Sequence, residues 1–172
     1  MSSNNKNNND NRPITIRKNG DGVVAEMIVA AGTERAWHVL TSFNEMDAHL
    51  SGLSESKVLI KEGNYLLVEQ RARVGISLLS FTFRVLMEVV EDRPFLHFRQ
   101  REGSFATFRG HWKVEPTPEG KGTWIRYYLE ASPVQGVGGR HFGNRLIKQN
   151  LQQLAAWIDN FSDEKNHGPS PS

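Results

Sequence analysis

Two sets of chemically capable side chains alternate along the same stretches of this sequence. Gln70 precedes Arg71, Gln100 precedes Arg101, and Arg126 precedes Tyr127. In a strand, neighbours point to opposite faces, so the amides and the phenol fall on one face and the cations on the other. The first face also collects Leu66, Val68 and Ala72; Leu79, Phe81, Phe83, Val85 and Met87; Leu96 and Phe98; Phe108, Gly110, Trp112 and Val114; and Ile125 and Leu129. Such a wall is ordinary core unless its polar members do something else. Buried amides and hydroxyls need partners, so they either satisfy one another and the backbone or orient a bound molecule. The second face carries Arg71, Arg73, Arg84, Arg99, Arg101, Arg109, Lys113 and Arg126, with His97, His111, Trp124 and Tyr128 among them and Glu69, Glu88 and Glu130 as main acids. A solvated, charge-protected sheet face accounts for this set. A basic platform for an anionic partner, whether membrane surface, acidic protein or ribosome, accounts for it equally.

Other chemistry is missing from the sequence. There is no cysteine, which removes disulfides, thiolate nucleophiles and Cys-based zinc sites. The six histidines show no metal-ligand spacing, so no metal is expected. The run Gly136-Val137-Gly138-Gly139-Arg140-His141-Phe142-Gly143 suggests a dinucleotide loop, but His141 stands where the third glycine is needed and no further βα unit follows. Those glycines let the chain turn to lay a helix across the sheet, and would also permit a gate over a cavity mouth. No nucleophile elbow or phosphate-binding loop is present, and no cofactor and no dedicated catalytic residue are expected. Any catalysis would be acid–base assistance from a pocket group such as Tyr127, with the cavity folding the substrate.

These side chains need a sheet and a helix to position them. Alternation with a period of two predicts strands over Val23–Val29, Lys57–Lys61, Tyr65–Val74, Leu78–Val90, Phe95–Arg101, Phe105–Val114 and Thr123–Ala131, seven in all. Gly32, Thr33 and Glu34 supply a turn, an N-cap hydroxyl and a first-turn carboxylate for a helix to about Ser42, and a second short helix covers Phe43 to about Leu50. Phe142, Leu146, Leu151, Leu154, Trp157, Ile158 and Phe161 recur at helical spacing, predicting one amphipathic helix of about 20 residues with Asn150 facing the sheet. Sequential hairpins make a strongly twisted sheet, and the last helix is the one element long enough to cover its concave face. Such a grip rarely closes fully, so a cavity is expected between them.

A chain of 172 residues supports one core, expected over residues 23–161, with a disordered Asn-rich leader at 1–22 and a disordered tail at 162–172. The formal net charge of +2 is matched by Lys6, Arg12, Arg17 and Lys18 against Asp10 and Asp21 within the leader. The remainder is neutral overall, which argues against a dedicated nucleic-acid domain on bulk charge. No apolar run reaches the roughly 20 residues that cross a bilayer, and the cytoplasm is the expected location. Oligomeric state is not encoded in any of these patterns.

The run Phe108-Arg109-Gly110-His111-Trp112-Lys113-Val114-Glu115-Pro116, followed by Gly122-Thr123-Trp124-Ile125-Arg126-Tyr127-Tyr128-Leu129-Glu130, resembles the last two strands of the polyketide cyclase/dehydrase and coenzyme Q-binding branch of the START-like superfamily. The segment from Val29 to Leu40 is similar to its first strand and opening helix, and Leu50 to Lys57 to its second helix and exit. The resemblance spans about Val23 to Phe161 and implies an α+β helix-grip fold with a cavity. Relatives of this kind include lipid and quinone carriers, aromatase/cyclases, plant hormone receptors and ribosome-association toxins, with no shared catalytic set. The expected function is non-catalytic binding or transport of a hydrophobic small molecule (lipid, quinone or polyketide-like). Its expected cavity residues are Gln70, Phe81, Phe83, Phe98, Gln100, Phe108, Trp112, Tyr127, Leu146, Asn150 and Leu154. The alternatives are a polyketide aromatase/cyclase-type enzyme and a ribosome-association or other interaction protein using the basic face. Trp112 offers a gauge: removing its ring should cost about 3–5 kcal/mol if it fills core, and much less if it borders open space.

Overall fold

Turn residues cut the alternating stretch into hairpins, and the hairpins pair in sequence. The computed structural model describes residues 13–76, 79–133 and 142–161. Its strands are β1 (Thr15–Asn19), β2 (Gly22–Val29), β3 (Leu53–Glu62), β4 (Tyr65–Ile76), β5 (Leu79–Asp92), β6 (Phe95–Gly103), β7 (Phe105–Pro116) and β8 (Thr123–Pro133). They form one antiparallel sheet in the order β1-β2-β8-β7-β6-β5-β4-β3. Helix α1 (Thr33–Thr41), a 3₁₀ turn (Phe43–Glu45) and α2 (Met46–His49) lie between β2 and β3, and α3 (Phe142–Asn160) follows β8.

The sheet has eight strands where alternation predicted seven, and the extra one comes from the expected leader. Thr15–Asn19 pairs with β2 across Gly20 and Asp21. Its outer side chains are polar and only Ile14 and Ile16 pack against the core, too short a pattern to read as a strand alone. The rest of the leader, residues 1–12, and the tail, residues 162–172, lie outside the described residues, as does most of the glycine-rich segment, residues 134–141. The cap of α1 also differs from expectation. Gly32 holds the N-cap position without a side-chain bond, and its carbonyl accepts from the Ala36 N–H at 3.1 Å, while Thr33 sits inside the first turn.

One end of the sheet is closed by tight packing. Val29, Leu66, Val68, Val89, Leu96 and Ile125 project from the strands and meet Val39 and Leu40 of α1 and Leu154, Ala155 and Ile158 of α3, all buried. The corner between β2 and α1 is pinned from two sides. The buried Thr123 hydroxyl donates to the Ala31 carbonyl at 2.7 Å, and the Ala31 N–H donates to Asp159 Oδ1 at 2.9 Å. The C-terminal half of α3 is thereby fixed over β2 and β8.

Gly110 in β7 marks a close approach. A Cβ there would run into the Tyr128 carbonyl oxygen and the Phe98 ring, whereas a Cβ at Gly143 in the first turn of α3 would meet nothing within 4 Å. Gly110→Ala should therefore lose about 1–3 kcal/mol in urea unfolding. Gly143→Ala should gain up to about 1 kcal/mol, because a helical alanine loses less chain entropy than glycine. Equal effects from the two substitutions would contradict the packing at Gly110.

Candidate ligand-binding cavity

The inner face changes character along its length. Away from the packed end, the inward side chains of β5, β7 and β8 are aromatic and only partly buried, including Phe83, Phe105, Phe108, Trp112 and Tyr127. They form a continuous chain of ring contacts: Phe83 to Phe105 at 5.1 Å, Phe105 to Phe108 at 5.1 Å, Phe108 to Phe98 at 5.7 Å, Phe98 to Tyr127 at 6.0 Å and Tyr127 to Trp112 at 4.1 Å. Helix α3 shows the same gradient. Leu151, Leu154, Ala155, Trp157 and Ile158 are buried, but Leu146, Ile147 and Asn150, nearer its start, are not fully covered. The aromatic wall and the N-terminal half of α3 are thus the less covered part of the inner face.

Of the polar groups expected in the cavity, two are committed to local structure. Gln100 closes the β6–β7 hairpin: its Nε2 donates to the Phe105 carbonyl at 2.8 Å and its Oε1 accepts from the Phe105 N–H at 3.3 Å. Gln70 Nε2 donates to Ser56 Oγ, on the paired residue of β3, at 3.0 Å, and approaches Met46 Sδ at 3.5 Å. Two other groups remain available. Asn150 Oδ1 is buried and accepts no hydrogen bond. The Tyr127 hydroxyl has no hydrogen-bond partner among the described residues, and burial pushes its pKa well above the usual tyrosine value, so it stays protonated and can donate. The two groups sit on different elements: the Asn150 amide on α3 lies against Gly52 at the entry to β3, and Tyr127 on β8 stacks on Trp112.

The other expected wall residues divide. Phe83, Phe98, Phe108, Trp112, Tyr127 and Leu146 lie where alternation and helical spacing put them. Leu154, 3% exposed, belongs to the packed core instead, and Phe98, 9% exposed, is buried at the border between that core and the half-covered rings. The Phe81 side chain lies outside the described residues. Phe105 was missed because alternation from Phe108 sends it outward; a register shift between Phe105 and Thr107 in the pairing of β7 with β8 turns it in. The reach of Gln100 back to Phe105 is its structural signature, and no sequence pattern announces it.

Six of the expected outer-face cations, Arg71, Arg84, Arg99, Arg109, Lys113 and Arg126, are tied to carboxylates. Arg71 binds Glu69 at 3.1 Å and Glu55 at 3.3 Å, and Arg84 bridges Glu69 at 2.8 Å and Glu102 at 3.0 Å. Arg99 binds Glu88 at 2.6 Å, Arg109 binds Glu130 at 2.9 Å and Lys113 binds Glu115 at 2.8 Å. Arg126 and Arg17 share Glu26 at 2.8 and 3.1 Å. Glu26, Glu55, Glu102 and Glu115 thus join the acids read from the sequence, and the face is a lattice of ion pairs, which leaves the broad platform for an anionic macromolecule without support. Hydrogen bonding from Arg84, opposed by partial burial and reinforced by Arg71, holds the Glu69 carboxyl below the usual carboxylate range. For Glu26 burial pushes upward, but Arg17 and Arg126 outweigh it and the net direction is down. Among the described residues no cluster of three or more histidine or acidic side chains could hold a metal ion, and no helix is long and apolar enough to cross a membrane.

Comparison with known proteins agrees with this architecture. The family model described as polyketide cyclase / dehydrase and lipid transport matches residues 29–155. No curated protein matches the sequence significantly. Among solved structures, the chain is similar to the protein TTHA0849 from Thermus thermophilus, at 23% identity over 79% of this chain and 92% of that one, with a TM-score of 0.66. It is also similar to the Zhui aromatase/cyclase from Streptomyces sp. R1128, at 14% identity over 84% and 94% of the two chains, TM-score 0.66. A third similar structure is the STAR-related lipid transfer protein from Xanthomonas axonopodis, at 12% identity over 84% and 98%, TM-score 0.61. At these identities the likeness concerns the fold, which is START-like.

Two outcomes follow from the site. Trp112, half-buried at the edge of the core, should lose about 1–2 kcal/mol on truncation to alanine, below the roughly 2–5 kcal/mol expected for the fully buried Ile158→Ala; chemical denaturation of both variants gives the comparison. Glu69, whose folded pKa lies below its ordinary value, stabilises the fold above the ordinary carboxylate range, and that contribution is lost as pH falls through the folded pKa. Glu69→Gln should therefore lower the thermal midpoint at neutral pH, and the gap from the native protein should close in strong acid. A gap that stays constant with pH would rule out the ion pairs as its source.

Proposed function

Because the chain belongs to the polyketide cyclase / dehydrase and lipid transport family, we propose that it binds and carries a lipid-, quinone- or polyketide-like molecule between the sheet and α3 without transforming it. The observation that carries this reading is the continuous aromatic wall from Phe83 to Trp112, left partly exposed on the face that a folded protein normally seals. Asn150 Oδ1 and the Tyr127 hydroxyl add one acceptor and one donor, enough to orient a molecule with a hydroxyl or carbonyl.

Binding without reaction is favoured by what faces the wall. Among the described residues it holds one titratable side chain, Tyr127, and that one is held protonated. A cyclase of the aromatase type draws on acid–base groups that converge on the substrate, and a lone proton donor supplies half of such a pair. Tyr127→Phe separates the two readings: a carrier keeps its ligand with a modest loss of affinity, whereas an enzyme keeps the ligand and stops converting it.

Native mass spectrometry before and after organic extraction tests the proposal directly. The purified protein should carry a hydrophobic adduct that extraction removes. Phe108→Ser should reduce its occupancy, and Asn150→Ala should weaken rebinding by roughly three- to tenfold, the value of one hydrogen bond. A protein that arrives empty and takes up neither fatty acids, quinones nor polyphenols would end the carrier proposal.

A further inference from the structure

A cleft of about 480 Å³ lies on the outer face of the sheet, on the side away from α3. Its lining includes Glu88, His97, Arg99, Arg109, His111 and Tyr128. That volume suits a small molecule, and the residues around it are arranged in rows. Arg99 pairs with Arg109 and His97 with His111 across β6 and β7, and His111 pairs with Tyr128 across β7 and β8.

The arginine row is anchored from beneath. Like charges directly opposite one another repel, and here each guanidinium is offset by its own carboxylate. Arg99 Nε donates to Glu88 at 2.6 Å and Arg109 Nε donates to Glu130 at 2.9 Å. The carboxylates sit low in the face, 20% and 16% exposed, while the arginine side chains are 73% and 65% exposed. With Nε bound, the Nη groups of both residues have no hydrogen-bond partner among the described residues. Two guanidiniums oriented in this way form a fork for a carboxylate.

The ring row is equally fixed. Phe95, His97, His111 and Tyr128 lie in contact, with centroids 5.5 Å apart for Phe95–His97, 5.8 Å for His97–His111 and 5.5 Å for His111–Tyr128. Tyr128 is held down because Gly22 lies under it, and a Cβ at that position would collide with the ring. Burial, the neighbouring His97 and Arg126 all depress the His111 pKa, so its ring is uncharged at neutral pH and offers a stacking surface.

We propose that this groove is a second binding site, separate from the cavity against α3, for a small aromatic carboxylate whose ring stacks on His111 and Tyr128 and whose carboxylate bridges Arg99 and Arg109. The site does not depend on the carrier reading, because none of its ligand-facing side chains lines the inner cavity. An anion there adds negative charge beside His111, which shares the cleft with Glu88 from β5, His97 and Arg99 from β6, Arg109 from β7, Tyr128 from β8 and the Tyr65 hydroxyl from β4, with Arg126 acting on its ring and Asp21, from the β1–β2 turn, acting on Arg109. Occupancy therefore raises the pH at which His111 protonates.

Titration of isotope-labelled full-length protein with naphthoate, followed by imidazole and guanidinium resonances, tests this, with the neutral naphthamide as control. Saturable shifts should appear at His97, His111 and the Arg99 and Arg109 Nε–H groups, and the His111 titration midpoint should move up on binding. The Arg99→Gln/Arg109→Gln double variant should bind naphthoate about tenfold or more weakly, and naphthamide as weakly as the native protein does; the single variants serve if the double variant does not fold. Phe83→Ala, which alters the inner wall at a ring that stacks on Phe105 and does not line the groove, should leave naphthoate binding at these residues unchanged. The proposal is overturned if naphthoate shifts only Trp112 and Asn150, if the arginine variants bind it as well as the native chain, or if naphthamide binds equally.

Discussion

Everything in this structure depends on how one short helix meets long strands. Helix α3 has 19 residues, about 28 Å at helical rise. Strand β7 has 12 residues and β5 has 14, about 40 Å or more when extended. A rod of that length cannot seal the whole concave face. It packs where α1 and the Thr123–Ala31–Asp159 bonds hold it, over the β2 end of the sheet. The interior is consequently solid on one side and bordered by half-covered rings on the other. The strand side chains largely follow that division, aliphatic where α1 and α3 cover them and aromatic where cover thins, while Trp37, Phe43 and Trp157 of the helical elements complete the packed end.

Pleating then assigns every other residue of the same strands to a different task. On the inside, an uncharged wall offers one free donor and one free acceptor. On the outside, arginines and glutamates neutralise one another in rows. Neither face interferes with the other, because these arginines and glutamates lie on the outer face, where they need not be desolvated. The ion pairs are individually weak at an exposed surface. Their shared partners, such as Glu69 between Arg71 and Arg84 and Glu26 between Arg17 and Arg126, organise the face without closing the guanidiniums to solvent.

Period-two alternation was enough to read the meander and the sorting of residues onto two faces, and helical spacing to read the gripping helix, because each of these signals repeats over many residues. Single-residue events were not legible. The register shift that turns Phe105 inward leaves the composition of β7 unchanged. Gln100 looked like a ligand-orienting amide in a strand and proved to be the clasp of a hairpin, since its partner is a backbone group that no side-chain pattern reveals. The strand Thr15–Asn19 was hidden in a polar leader because an edge strand presents most of its side chains to water. The acids that neutralise the outer face were visible in the sequence, but their pairing with particular arginines depends on cross-strand register, which alternation does not fix.

Gly110 has a meaning beyond its tight fit. At most strand positions a side chain helps insulate the interior from the outside of the sheet. At Gly110 a single peptide thickness does so, with the Phe98 ring pressed on it from within and the arginine-flanked groove opening on the other side. The ring that helps shape the inner cavity is also the backing of the outer hollow. A tilt of Phe98 therefore alters both contours at once, making this spot a window through which crowding on one side is felt on the other.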